Sequence, residues 1–302
     1  MININEYIDR VCEEFNDYVS NSPKLCDINI DFSAGKIPDY NDTNVQQAYL
    51  LRYAYGYAFE YKVMYNVLFG NYEYSDNISV LSIGCGCMID YWSLTRALRQ
   101  KTWEDCIIDY IGIDSVGWEY CFESEITDNI RFIQGDAVAV LENVPSISRD
   151  VFFFPKSISE FSHDDLERIG NSIGAKNQND LFHLLISVRA NEYSMHLDTK
   201  RVKKLISAIS SHGYVTSDDP DMYWRFTHDG TNDDKKIRNT DSEFKHPSKA
   251  YSLMNTLNTK CEFYISNGVN CNSECKDRLT RNVMVNVDAI SYKILTFRRG
   301  VK

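Results

Sequence analysis

The chain has 302 residues, of which 43 are Asp or Glu and 32 are Lys or Arg, for a formal net charge of −11. With 43% hydrophobic, 25% charged and 13% aromatic residues it can bury a real core, which excludes a disordered chain, and no run reaches the ~18–20 apolar residues of a membrane helix. The acidic start, Met1 to Tyr7, lacks the basic and apolar stretches of a signal peptide, and nine Cys argue for reduced thiols or a metal site over a disulfide framework, so a cytoplasmic protein is expected.

Ile4, Tyr7, Ile8, Val11, Cys12 and Phe15 recur at spacings of three and four and predict a first helix. Loop signals at Asn21 to Pro23 and Gly35 to Asp39 separate it from a Tyr-rich helix from about Val45 to Leu68. On that second helix Tyr49, Arg52, Tyr53, Tyr57, Glu60 and Tyr61 share a face. Packing accounts for a tyrosine stripe, but burying Arg52 or Glu60 requires a partner, so Arg52, Tyr53, Tyr57 and Glu60 are candidates for a substrate-facing cap.

From Ile78 the pattern alternates. Apolar runs of strand length occur at Ile78 to Ile83, Ile107 to Ile113, Ile130 to Ile133, Val151 to Phe154 and Leu181 to Val188, with helical patterns at about 88 to 101, 117 to 124, 136 to 142, 162 to 173 and 199 to 211. Strands separated by helices of this length predict a parallel sheet covered on both faces. Beyond Gly213, polar stretches at 218 to 221, 228 to 234 and 267 to 273 predict loops, and alternation from Val283 to Phe297 predicts a closing pair of strands at the sheet edge.

The segment Val80-Leu-Ser-Ile-Gly-Cys-Gly-Cys-Met-Ile-Asp90 is a buried strand that enters Gly84 and Gly86 and is followed by a helix. Glycines there let the backbone turn sharply and approach a ligand closely. A dinucleotide fingerprint requires Gly or Ala at position 89, where Ile89 stands, which disfavours a nicotinamide cofactor. The segment resembles the first motif of the class I S-adenosylmethionine-dependent methyltransferases. The resemblance implies that Gly84, Cys85 and Gly86 pass beneath the amino acid and ribose of S-adenosyl-L-methionine. It implies that Asp114, which ends Tyr110-Ile-Gly-Ile-Asp114, accepts from the ribose hydroxyls. For Gln134-Gly-Asp-Ala137 the resemblance implies that Asp136 accepts from the adenine amino group, with Ala137 beside it. Ser82 stands where many members carry an acid, and Met88 where a third Gly is common, so Asp90 is expected to hold the cofactor's ammonium group.

The fourth strand ends in Phe153-Phe-Pro-Lys-Ser157, where the family places residues facing the transferable methyl. Phe154 is assigned to the cofactor, and Lys156, Ser157, Glu160 and His163 are the candidates for aligning the acceptor or taking its proton. The chain has neither the Asp/Asn-Pro-Pro-aromatic motif of DNA amino-methyltransferases nor the Pro-Cys dipeptide of cytosine-C5 enzymes, so DNA is disfavoured. No metal is expected; a zinc set of Cys261, Cys271 and Cys275 with His228 or His246 is the alternative to free thiols.

The architecture implied is α/β, a three-layer sandwich with a seven-stranded, mostly parallel sheet, helices on both faces and an N-terminal helical cap. Its expected divisions are 1–77 for the cap, 78–213 for the cofactor-binding core, and 214–302 for a C-terminal elaboration with the closing strands. The implied reaction is methyl transfer to an O, N or S nucleophile of a small molecule, which the acidic core and aromatic cap favour. An RNA methyltransferase is the first alternative, because residues 199–302 carry net +6 and those from Lys235 onward +7. Aminocarboxypropyl transfer from the same cofactor and a non-catalytic binding module are the others.

Overall fold

The computed structural model describes residues 4–22, 38–121, 129–188, 192–227, 248–262 and 289–300, with single positions at 25, 28, 30 and 265. These divide into two units, one of residues 1–59, 116–125 and 239–286, the other of residues 60–115, 126–238 and 287–302.

The first unit contains helix α1 (Ile4–Asn21), whose apolar stripe of Ile4, Tyr7, Ile8, Val11, Cys12, Phe15 and Val19 is buried as its spacing predicts. The stripe packs on two short helices, α7 (Ser248–Asn255) and α8 (Leu257–Lys260). The long helix α2 (Thr43–Asn71) begins in this unit. Its Tyr49 ring lies 5.3 Å from Tyr40, 5.4 Å from Tyr53, 6.0 Å from Tyr57 and 5.6 Å from Trp118, which forms one aromatic cluster. The helix expected at 117 to 124 is a turn in its described part, residues 117–121. Gln46 explains the difference. Its amide donates to Gly117 O at 3.1 Å and its oxygen accepts from Glu119 N at 3.0 Å, so a side chain satisfies backbone groups that a helix would otherwise pair internally.

The second unit is built on the sheet. Its strands are β1 (Asn77–Ile83), β2 (Ile107–Asp114), β3 (Ile130–Gln134), β4 (Val151–Pro155), β5 (Leu181–Val188), β6 (Tyr214–Val215), β7 (Trp224–Thr227) and β8 (Ala289–Arg299). Seven follow one path in the order β3-β2-β1-β4-β5-β8-β6, and β7 pairs with β8 off that path. The pairs among β1 to β5 are parallel; β8 runs antiparallel to β5, β6 and β7. The mostly parallel sheet read from the sequence is the one observed. The closing segment differs: it supplies a single strand, β8, seated inside the sheet between β5 and β6, and its partners besides β5 come from residues 214–227. Residues 283–288 of that expectation, the polar stretches 228–234 and 267–273, and most of the basic segment from Lys235 lie outside the described residues.

Alternation along the strands sends different chemistry to the two faces. One face carries Leu81, Ile83, Phe152, Phe154, Phe182, Leu184, Ile186 and Val188 against helices α4 (Ala137–Asn143), α5 (His163–Lys176) and α6 (Glu192–Ser210), a continuous apolar core. The other meets the second half of α2 and helix α3 (Ile89–Gln100). There Phe153 touches the Tyr61 and Tyr65 rings at 5.2 and 5.6 Å, Tyr91 touches Tyr110, and Tyr72 touches His183. Among the described residues no helix is long and apolar enough to cross a membrane. Phe153 is fully buried and ties α2 to the sheet, so Phe153→Ala is expected to lower the unfolding free energy by about 3–5 kcal/mol in urea titrations; a loss under 1 kcal/mol would contradict this packing.

Candidate active site

The sheet order reverses at β1. The chain moves outward through β2 and β3, then returns to place β4 on the other side of β1. In open α/β sheets the connections diverge at such a point and leave a crevice beyond the carboxyl ends of the two strands, where ligands bind. Here those ends deliver the glycine loop after Ile83 and the Lys156-Ser157 turn after Pro155.

The loop winds through left-handed backbone at Gly84, Gly86 and Met88, with φ of 68°, 55° and 65°. Gly84 is also required sterically, because a Cβ there would stand 2.5 Å from Ser157 Cβ. Ser157 is buried and donates from Oγ to Ile83 O at 2.5 Å, which locks the two strand ends together. Gly84 N and Cys85 N donate to Ile113 O at 2.8 and 3.1 Å, Gly86 N donates to Asp114 Oδ2 at 2.8 Å, and Gly135 N donates to Asp114 O at 2.8 Å. The three motifs at the ends of β1, β2 and β3 are therefore joined by hydrogen bonds that converge on Ile113 and Asp114.

Asp136 is exposed and caps α4 by accepting from Ala139 N at 2.8 Å, with Ala137 buried as the first helical residue. Phe154 is fully buried in the apolar core, its ring 6.2 Å from Phe161, so its side chain serves packing on the α4 to α6 side. Glu160 is exposed in a short 3-10 turn, and His163 is exposed at the start of α5, whose capping box is made by Ser162 and Asp165. Neither is brought to the glycine loop by any described contact.

Asp90 lies behind the loop with no exposed surface, and the Tyr110 hydroxyl approaches its two oxygens at 3.0 and 2.9 Å. The carboxylate expected to meet a ligand ammonium is thus enclosed by protein. Burial pushes its pKa up to about 7, against the opposing pull of the Tyr110 hydroxyl.

Glu60, also without exposed surface, accepts on Oε1 from Lys156 Nζ at 2.8 Å and from Ser187 Oγ at 2.5 Å. Lys156 adopts φ 59° and donates further to Val188 O at 3.0 Å. Burial raises the Glu60 carboxyl above its ordinary range, while the Lys156 charge and the two hydrogen bonds pull the other way. The structure therefore joins Glu60 of the expected cap to Lys156 of the expected catalytic set. Arg52, Tyr53 and Tyr57 belong to the other unit, where Arg52 is buried and the Tyr53 and Tyr57 rings stack at 5.4 Å. Sequence reasoning missed Ser187 and the Val188 carbonyl; the signal was a polar residue beside the carboxyl end of a strand whose only other polar residue is His183.

Among the described residues no group of three His, Cys, Asp or Glu could hold a metal ion. Cys261 is buried, and Cys271, Cys275, His228 and His246 lie outside the described residues.

No protein-family model matches the sequence, and no curated protein matches it. Among solved structures, the plantazolicin methyltransferase BpumL in complex with SAH is similar at 14% identity and a TM-score of 0.42, over 96% of this chain and 99% of that one. The cyclase SpnF is similar at 13% identity and a TM-score of 0.41, over 80% and 82%. The mitomycin 7-O-methyltransferase MmcR follows at 15% identity and a TM-score of 0.36, over 52% of this chain; the match spans about half of that protein's length, 49%. The sheet is Rossmann-like. Its own strand order, 3-2-1-4-5 from the edge to the middle, carries that assignment.

A carboxyl group whose folded pKa is raised stabilises the fold at low pH and loses that contribution as pH rises through the folded value. For Asp90 the window runs from its ordinary value near 4 to about 7. Asp90→Asn is expected to flatten the decline in stability of the wild type across this window by up to ~4 kcal/mol, measured by urea unfolding at pH 4 to 8. Parallel curves for the two proteins would show that Asp90 does not titrate there.

Proposed function

We propose that the chain binds S-adenosyl-L-methionine at the glycine loop and transfers its methyl group to an O, N or S nucleophile of a small molecule. The observation that carries this reading is the convergence of the Gly84 to Gly86 loop, Asp114 and Gly135-Asp136 on one hydrogen-bonded strand edge at the point where the sheet order reverses.

The residues present suit that cofactor. Left-handed glycines expose backbone at the crevice, a carboxylate ends β2, and Asp136 stands exposed at the end of β3. When bound, the cofactor supplies an electrophilic methyl on its sulfonium sulfur. In this reading Gly84, Cys85 and Gly86 support its amino acid and ribose, Asp114 its ribose hydroxyls, and Asp136 and Ala137 its adenine. The Lys156-Ser157 turn sits at the end of β4 beside the loop and orients the acceptor; Ser157 acts through backbone, since its hydroxyl is committed to Ile83 O. Residues 78–213 are the cofactor-binding core, with the preceding and closing segments left to acceptor choice. The nine cysteines of the chain, an odd number, suit a reducing compartment such as the cytoplasm better than a disulfide framework.

Calorimetry with S-adenosylmethionine and S-adenosylhomocysteine tests the reading. Saturable binding is expected for the wild type, weakened about 10- to 100-fold in Asp114→Ala, because charge-assisted hydrogen bonds to a ligand and the anchor of Gly86 N are lost together. Absence of wild-type binding to both compounds would contradict it.

A further inference from the structure

The basic segment from Lys235 onward, whose charge the glycine loop does not use, has two described lysines in the first unit, Lys249 and Lys260. Both open on one cavity of about 590 Å³, walled by α1 on one side and by α7 and α8 on the other. Its volume is that of a small-molecule cleft. Buried Leu253 and Cys12 supply an apolar lining.

The wall formed by α7 and α8 is rich in donors. Ser248 and Ser252 stand four residues apart on one face of α7, with Lys249 beside them in its first turn, at the positive end of the helix. Lys260 Nζ gives one of its three protons to Asn16 Oδ1 at 3.2 Å. Burial, Asp9 and Glu13 raise the Cys12 thiol and the Lys249 ammonium opposes them, which sets that charge beside the cavity lining. Among the described residues neither ammonium makes an ion pair, and neither serine hydroxyl has a hydrogen-bond partner. A chain of net charge −11 has acids to spare for its lysines, yet these two share a cavity without one. The acid that lines it, Glu13, lies on the α1 wall and is likewise without an ion pair among the described residues. Two ammonium groups and two free hydroxyls against one carboxylate make a surplus of donors, and a surplus of donors selects an anion.

We propose that the cavity between α1 and the α7–α8 wall binds a small organic anion, a molecule bearing carboxylate or phosphate groups that lie against Lys249 and Lys260 while its body rests on Leu253. The site belongs wholly to the first unit and is independent of the cofactor reading. A nucleic-acid surface tracks a backbone with an open stripe of bases. Here the two described lysines instead face into a cavity with an acid on its opposite wall, which favours the small molecule.

Calorimetry on the full chain at low salt, with citrate and with pyrophosphate as probes, tests the proposal and separates the two sources of charge. Saturable binding of one or both is expected. Lys249→Met and Lys260→Met are each expected to weaken it about 10-fold, and the double variant to abolish it. Glu13→Gln, which removes the opposing charge, is expected to tighten it about 2- to 5-fold. All three side chains are exposed, so the variants are expected to keep the wild-type Tm without ligand. Binding of pyrophosphate alone assigns the site to phosphate, and of citrate alone to carboxylate. Absence of binding by either probe overturns the proposal, as does binding that the lysine variants leave unchanged. Lysine-dependent binding of a single-stranded RNA with neither small anion bound also overturns it, and marks a nucleic-acid surface instead.

Discussion

Ser157 stands where a side chain on Gly84 would have to be. That contact follows from the parallel pairing of β1 with β4, which brings two departing loops to one place, and only a residue without Cβ lets the second loop close over the first. Much of the crevice depends on it. With Ser157 fixed to Ile83 O, Lys156 must turn through left-handed backbone, and that turn carries its ammonium to Glu60 and the end of β5. On the other side of β1 the glycine loop closes on Ile113 and Asp114, so strand ends far apart in sequence become a single edge. Left-handed backbone at Met88 and Lys156 costs on the order of 1–2 kcal/mol each, which the burial of the surrounding core offsets.

The two faces of the sheet divide the work. The α4 to α6 face is almost wholly apolar and supplies cohesion through Phe152, Phe154, Phe182 and their neighbours. The α2 and α3 face buries Ser82, Asp90, Tyr110, Ser187 and Glu60, groups that are unfavourable in a core unless paired. A chain selected only for stability would fill that face with leucine or valine. Its polar character lies directly behind and beside the glycine loop, which joins the electrostatics of the interior to the ligand crevice and explains why burial raises both Asp90 and Glu60.

Much of this was legible in the sequence, because the period of hydrophobic residues reports strands and helices and because glycine marks backbone that other residues avoid. Leu181–Val188 was delimited by its apolar run alone, and the α1 stripe by its spacing. The turn at 117–121 was not, since a side chain from distant Gln46 replaces the helical hydrogen bonds. Nor was the seat of β8 inside the sheet, since a strand's own pattern does not name its partners. Within the site, the glycine loop, Asp114 and Lys156 could be named from local motifs. Glu60 could only be suspected as a charge on a helix face that needs a partner, and the burial that encloses Asp90 depends on Tyr110, twenty residues away in the next strand.

The central claim is that the strand edge at Gly84 to Met88 and Asp114 is a nucleoside cofactor site. Hydrogen exchange of the backbone amides, followed by mass spectrometry with and without S-adenosylhomocysteine, tests it most directly. The account predicts added protection in peptides spanning residues 84–88, 114–115 and 135–137. Saturating ligand that leaves these peptides unchanged, or that protects only segments elsewhere in the chain, would contradict it.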